Sequence, residues 1–158
     1  MIEEVLSTIP LDPNEYVLTG SLAVYLQIMN NSTLTNLFLN SHGGIKDVDL
    51  ILPRNAHEKI GNSEKLARNA YRDGFRVLIM LDDPSPFREQ YVLIDAIKTV
   101  SDEEFSETLE KSRMLEMDGV TVYATDIREI LQIGIEKYLK QDYSRLMPYC
   151  KNGDYLNF

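Results

Sequence analysis

The chain has one cysteine, Cys150, in 158 residues. A single thiol excludes an internal disulfide framework, so an apolar core must hold the fold. Long hydrophobic runs are also missing, and none approaches the roughly 20 residues that span a bilayer. No basic, apolar signal segment follows Met1: Ile2 to Ile9 is short and is interrupted by Glu3 and Glu4. Positive charge is scarce, with 16 Lys and Arg against 25 Asp and Glu, a net charge of −9. Proteins that coat nucleic acid draw on Lys and Arg to neutralise phosphates, so this balance speaks against general duplex binding. It leaves room for a small phosphate-bearing substrate, because a local field can differ from the total. There is no internal repeat, low-complexity tract or linker. Together these absences predict a cytoplasmic protein without membrane association.

With 44% hydrophobic residues, the length suits one domain with a core of its own. A short helix is expected at Ile2 to Thr8, ended by Pro10 and Pro13. Tyr16 to Thr19 reads as a strand, Gly20-Ser21 as a turn and Leu22 to Met29 as a helix. Asn30 to Gly44 reads mostly as loop around a short helix at Leu34 to Leu39. Asp47 to Leu52 is a strand, and Asn55 to Asp73 a helix with a weak point at Gly61 and a stop at Gly74. Strands follow at Phe75 to Leu81 and Gln90 to Lys98, separated by the loop Asp82 to Pro86. Ser101 caps a helix from Asp102 to about Lys111, with Glu104 at the capping-box position. The acidic run from Asp102 to Asp118 then reads as a solvated helix face. Met114 to Val122 reads as a hairpin turning at Asp118-Gly119, and a last helical region runs from Thr125 or Asp126 to about Met147. Alternating strands and helices with one hairpin predict an α+β fold, a mixed β-sheet flanked by helices.

Three features carry chemistry. In Asp47-Val48-Asp49-Leu50-Ile51-Leu52, strand alternation turns Asp47 and Asp49 to one face and Val48, Leu50 and Leu52 to the other. Two carboxylates side by side repel unless a cation sits between them, and Mg²⁺ favours one or two carboxylates plus substrate phosphates. Two solvated carboxylates at a strand end are the plainer alternative. In Gln90 to Ile97, Asp95 interrupts a run that is apolar on both faces. A carboxylate buried there needs a metal, an ion pair or backbone hydrogen bonds. In Tyr16 to Ala23, a strand runs through Gly20-Ser21 directly into a helix. The arrangement either offers helix amides and the Ser21 hydroxyl to a phosphate, or serves only as a turn with a serine cap.

Strand, Gly-Ser, helix, Asp-x-Asp strand and a later single-Asp strand, in that order, resemble the nucleotidyltransferase superfamily, which shares its catalytic domain with polymerase β-like enzymes. The matching residues are Leu18-Thr19-Gly20-Ser21-Leu22-Ala23, Lys46-Asp47-Val48-Asp49-Leu50 and Leu93-Ile94-Asp95. The form of the Asp-x-Asp motif is most similar to AbiEii-type abortive-infection toxins and related bacterial nucleotidyltransferases. The resemblance implies a nucleotidyltransferase-like fold over 1–158, with its motif core at about 15–98 and a C-terminal hairpin and helices at about 113–150. It implies that Gly20 and Ser21 hold NTP phosphates, and that Asp47, Asp49 and Asp95 hold two Mg²⁺ ions and carry catalysis. The acceptor hydroxyl would belong to a protein, a tRNA or a small molecule; a toxin–antitoxin role is a narrower possibility. A non-catalytic nucleotide- or partner-binding module on the same fold is the alternative.

The chain departs from the pattern in three places. The segment between Ser21 and Asp47 is long, and its His42-Gly43-Gly44 reads as a loop rather than a flexible lip. Ile45 stands where relatives often carry a hydroxyl residue. In the C-terminal region Lys137, Lys140 and Asp142 do not align cleanly with the family's residues, and no acceptor-binding domain is evident, so a second copy or partner subunit is a candidate to complete the site. Arg54, Arg76, Arg88 and Lys98 are cations that the sequence does not rank, and Tyr138, Tyr143, Tyr149 and Tyr155 read as packing residues.

Overall fold

A computed structural model describes residues 2–61, 69–71, 74–80, 86–88, 91–117 and 119–130. The first helix, α1 (Ile2–Ser7), sets Ile2, Val5 and Leu6 into the core and leads through a 3₁₀ turn at Pro13–Glu15 to β1 (Val17–Thr19). Two helices, α2 (Gly20–Ile28) and α3 (Ser32–His42), precede β2 (Asp47–Pro53). The chain continues through α4 (Arg54–Gly61), β3 (Asn69–Tyr71), β4 (Gly74–Met80) and β5 (Tyr91–Val100). It then forms α5 (Asp102–Lys111) and the hairpin β6 (Arg113–Met117) and β7 (Val120–Ala124).

The seven strands among the described residues share one sheet in the order β3-β4-β5-β2-β1-β7-β6. The β1–β7 and β2–β5 pairs are parallel and the remaining pairs antiparallel, which makes the sheet mixed as expected. Helices cover both faces. Val48, Leu50 and Leu52 join Leu18, Leu22, Phe38 and Ile94 in the main core. On the other face a smaller cluster unites Val17, Val100 and Phe105, with Ile51 and Leu109 packed against it, so α5 covers that side of β1, β2 and β5. The acids at the start of α5, Asp102, Glu103 and Glu104, are exposed, as a solvated face requires. Among the described residues no helix is long and apolar enough to cross a membrane.

Two expectations are corrected. Asn30 to Gly44 is not mostly loop, because α3 runs its full length between two caps. Asn31 accepts a hydrogen bond from the Leu34 amide at 3.1 Å, and Gly43, in the left-handed region at φ 71, donates its amide to the Leu39 carbonyl. Leu34 and Phe38, one turn apart, anchor the helix in the core. Of the expected helix from Asn55 to Asp73, the part up to Gly61 is helical, residues 62–68 lie outside the described residues, and Asn69–Tyr71 is instead a strand pairing with β4, Tyr71 opposite Gly74. The glycine at 74 therefore opens a strand rather than ending a helix. The final helix is described only at its start, residues 127–130. Lys137, Lys140, Asp142 and the C-terminal tyrosines lie outside the described residues.

A buried amide ties that start to the body of the domain. Gln27 is 1% exposed; its Nε2 donates to the carbonyls of Ala23 at 3.0 Å and Thr125 at 2.8 Å, and its Oε1 accepts from the Ile127 amide at 3.0 Å. Gln27→Leu keeps the bulk but strands a buried carbonyl and a buried amide. The expected loss is about 1–3 kcal/mol of unfolding free energy, read by denaturant melts; an unchanged midpoint would show that other partners satisfy those groups.

Asp126 begins the same helix. Burial alone would raise its pKa, but hydrogen bonds from the Arg128 side chain and amide and the nearby charges of Arg128 and Arg113 outweigh it, so the carboxyl is held below its usual value. A lowered folded pKa contributes stability above the unfolded pKa, and that contribution is lost as pH falls through the folded value. Below about pH 4 the parent should therefore lose melting temperature more steeply than Asp126→Asn. Parallel acid limbs would refute the assignment.

Candidate functional site

The site is built where β1 turns into α2. β1 and β2 are antiparallel with Thr19 opposite Asp49, so the residue after Thr19 falls beside the Asp49 side chain. That residue is Gly20, with φ 72 in the left-handed region. A Cβ placed on Gly20 would collide with the Asp49 carboxylate, lying 3.2 Å from its Cγ and 3.3 Å from its Cβ, with Oδ2 nearer still. Glycine is thus required twice here, by the backbone angle and by the close approach of an acid.

The turn opens directly into α2. Thr19 is the residue before the first turn, and its side chain makes no capping hydrogen bond. Ser21 lies within the helix and is 9% exposed, so it is not the cap that the turn-only alternative assigns to it. The first-turn amides of α2 therefore receive no bond from the capping side chain, which is the condition under which a helix N-terminus favours an anion.

The exposure pattern of β2 confirms the alternation. Asp47, Asp49 and Ile51 are half-buried, whereas Val48, Leu50 and Leu52 are buried. Ile51 touches the cluster beneath α5, and the acids lie two and four positions nearer the start of the strand on that same side. Parallel pairing sets Asp47 opposite Leu93 and Asp49 opposite Asp95, with a register shift beyond Leu50. The backbone of position 95 is thus directly beside that of position 49, although the Asp95 side chain lies outside the described residues. Among the described residues no group of three acidic, histidine or cysteine side chains is assembled for a metal.

Asp47 and Asp49 fit a hard divalent cation by their chemistry: two carboxylates on one face of β2, with the start of α2 beside Asp49. The loop ahead of them is fixed. The Ile45 amide donates to the Pro86 carbonyl at 3.0 Å and the Arg88 amide to the Ile45 carbonyl at 2.9 Å, so Ile45 and Phe87 form a parallel bridge. Gly44, with φ +92, lets the chain pass close to Pro86 and Arg88. His42 is thus the last residue of α3 rather than loop, Gly43 is its stop, and Gly44 makes a tight approach.

The structure also sorts the cations that the sequence left unranked. Arg54 opens α4 just beyond the far end of β2. Lys98 sits opposite Ile51 and pairs with Glu104 at 3.4 Å. Arg88 packs beside Gly43, ahead of β2, and Arg76 stands opposite Asp95 in the β4–β5 pair. Sequence reasoning had no signal for this ranking, because strand order decides it. Elsewhere, a cleft of about 440 Å³ between α2 and β6 is lined by Gln27, Met29, Arg113 and Glu116 among others, and by none of the expected site residues. Comparison with protein-family models, curated proteins and solved structures finds no match for this chain.

Proposed function

We propose that the protein is a metal-dependent nucleotidyltransferase with a nucleotidyltransferase-like fold, moving a nucleoside monophosphate from an NTP to an acceptor hydroxyl and releasing pyrophosphate. The observation that carries this reading is the packing of the Asp49 carboxylate on the positive-φ turn at Gly20. It brings an acid pair and an anion-favouring helix end to one place. Register supports it further, with position 95 beside position 49.

In this reading Asp47, Asp49 and Asp95 hold two Mg²⁺ ions, which supply charge neutralisation at the phosphates and a lowered pKa at the acceptor hydroxyl. The Gly20 turn and the α2 amides, with Ser21, orient the β- and γ-phosphates. The acceptor oxygen forms a bond to the α-phosphorus as the bond from that phosphorus to the α–β bridging oxygen breaks. Pyrophosphate carries away the electron pair, and the hydroxyl proton passes to the Asp95 carboxylate or to water. Positioning and electrostatics account for most of the rate, as in phosphoryl transfer generally.

NTPs labelled at the α- or γ-phosphate, offered with Mg²⁺ to protein, tRNA and small-molecule acceptors, test this directly. The α-label should become covalently attached to one acceptor class while the γ-label leaves in pyrophosphate. Attachment of the γ-label would mean a kinase, and attachment of neither would count against transferase activity.

A further inference from the structure

Every residue of β6 lines the cleft of about 440 Å³, together with Glu3 of α1 and the end of α2 around Met29. Strand residues alternate between two faces, so a cleft that touches all of them runs along the edge of the strand. Among the described residues β6 is the last strand in the sheet order, with β7 on its inner side. Alternate residues of such a strand turn their amides and carbonyls away from its one neighbour. The edge is neither broken by proline nor bulged: β6 pairs with β7 through all 5 of its residues without a register shift.

The two walls of the cleft carry matching chemistry. On one face of β6, Leu115 and Met117 pack on the main core, which turns that face towards α1 and α2, where Glu3 and Met29 stand. On the opposite face Met114 and Glu116 are exposed. Each wall thus offers one carboxylate and one methionine. Met29 and Met114 are the large hydrophobics left exposed among the described residues, at 37% and 57%. Neither Glu3 nor Glu116 forms an ion pair among the described residues. Arg113, the cation of the cleft, already lies close enough to Asp126 to help lower its pKa.

We infer that this edge takes an extended segment of a partner protein as a further strand, one carrying a basic and an apolar residue on each of its faces. Main-chain hydrogen bonds to β6 supply the pairing, and the two methionines adapt to the apolar side chains. The two carboxylates select for Lys or Arg. A second copy of this chain is the poorer occupant, because each copy carries a net charge of −9. The inference is independent of the proposed nucleotide site, none of whose residues lines the cleft.

The probe is a short labelled peptide that repeats two lysines and two valines, which puts both residue types on both faces of a strand. Binding is read by fluorescence anisotropy at low salt, and its place by amide shifts in nuclear magnetic resonance, which should move at β6. Methylating alternate peptide amides removes strand hydrogen bonds and keeps the charges, and should weaken binding about tenfold or more. Glu3→Lys with Glu116→Lys should weaken it by a similar factor and admit the matching peptide of glutamates and valines instead. Glu3→Gln with Glu116→Gln, nearly isosteric, should cost about threefold and carries the test if the reversed variant does not fold. Binding that tolerates methylation would show charge attraction without strand addition. Binding that ignores both pairs of substitutions would lie elsewhere on the surface. Either result overturns the inference. A parent that binds no peptide also overturns it, whether it proves a dimer paired through β6 or a monomer whose own residues protect the β6 amides from exchange.

Discussion

Replacing Gly20 with alanine should weaken nucleotide binding and lower stability together. An L-residue held in the left-handed region costs about 1–2 kcal/mol. At Gly20 the added methyl also lands on the Asp49 carboxylate, so that side chain must leave its present position. If the proposed site is right, displacement of the acid beside the Gly20 turn should weaken Mg²⁺-dependent NTP binding by at least about tenfold, roughly 1.4 kcal/mol. A double-mutant cycle separates the two causes. Once Asp49 is alanine the carboxylate collision is gone, and the further cost of Gly20→Ala should shrink towards that of the backbone angle alone. Strict additivity, or normal NTP binding by Gly20→Ala, would show that Asp49 and the turn do not act as a unit.

Asp47→Asn should leave stability nearly unchanged and act far more on chemistry. Asp47 is half-buried near the start of β2, on the same face as Asp49, and the substitution is nearly isosteric. Relief of like-charge repulsion offsets what is lost, so the unfolding free energy should stay within about 0.5 kcal/mol of the parent. Transfer should fall at least about hundredfold, the scale on which single charge-stabilising groups act at phosphoryl centres. The diagnostic is the split itself: a folded protein with an unchanged melting curve and little activity. A parallel loss of stability and activity would make Asp47 a structural residue.

These two sites were legible in the sequence because their signals are local. The period of two in β2 places Asp47 and Asp49 on one face without reference to any other segment, and Gly20-Ser21 marks a turn wherever its strand lies. Non-local features were not legible. Asn69–Tyr71 is a strand because β4 pairs with it, and nothing in three residues says so. Strand order sets β2 between β1 and β5; it brings position 95 beside Asp49 and separates Arg76 from Arg54 and Lys98. The α3 segment is hard to read from sequence for a different reason. Its Ser, Thr and Asn residues compete for backbone hydrogen bonds and weaken intrinsic helicity, while the Asn31 cap and the burial of Leu34 and Phe38 overcome that deficit. Composition marks Gly43-Gly44 as loop, but the approach of Gly44 to Pro86 and Arg88 depends on the fold.

The central claim is that Asp47, Asp49 and the Gly20 turn form one metal-dependent nucleotide site. Titration calorimetry of each NTP into the protein tests it most directly, with Mg²⁺ and with chelator, beside a variant carrying Asp47→Ala and Asp49→Ala. The account predicts binding of at least one NTP that requires Mg²⁺ and disappears in the folded variant. Binding that persists without metal or without both acids, or no binding of any NTP by the folded parent, would contradict it.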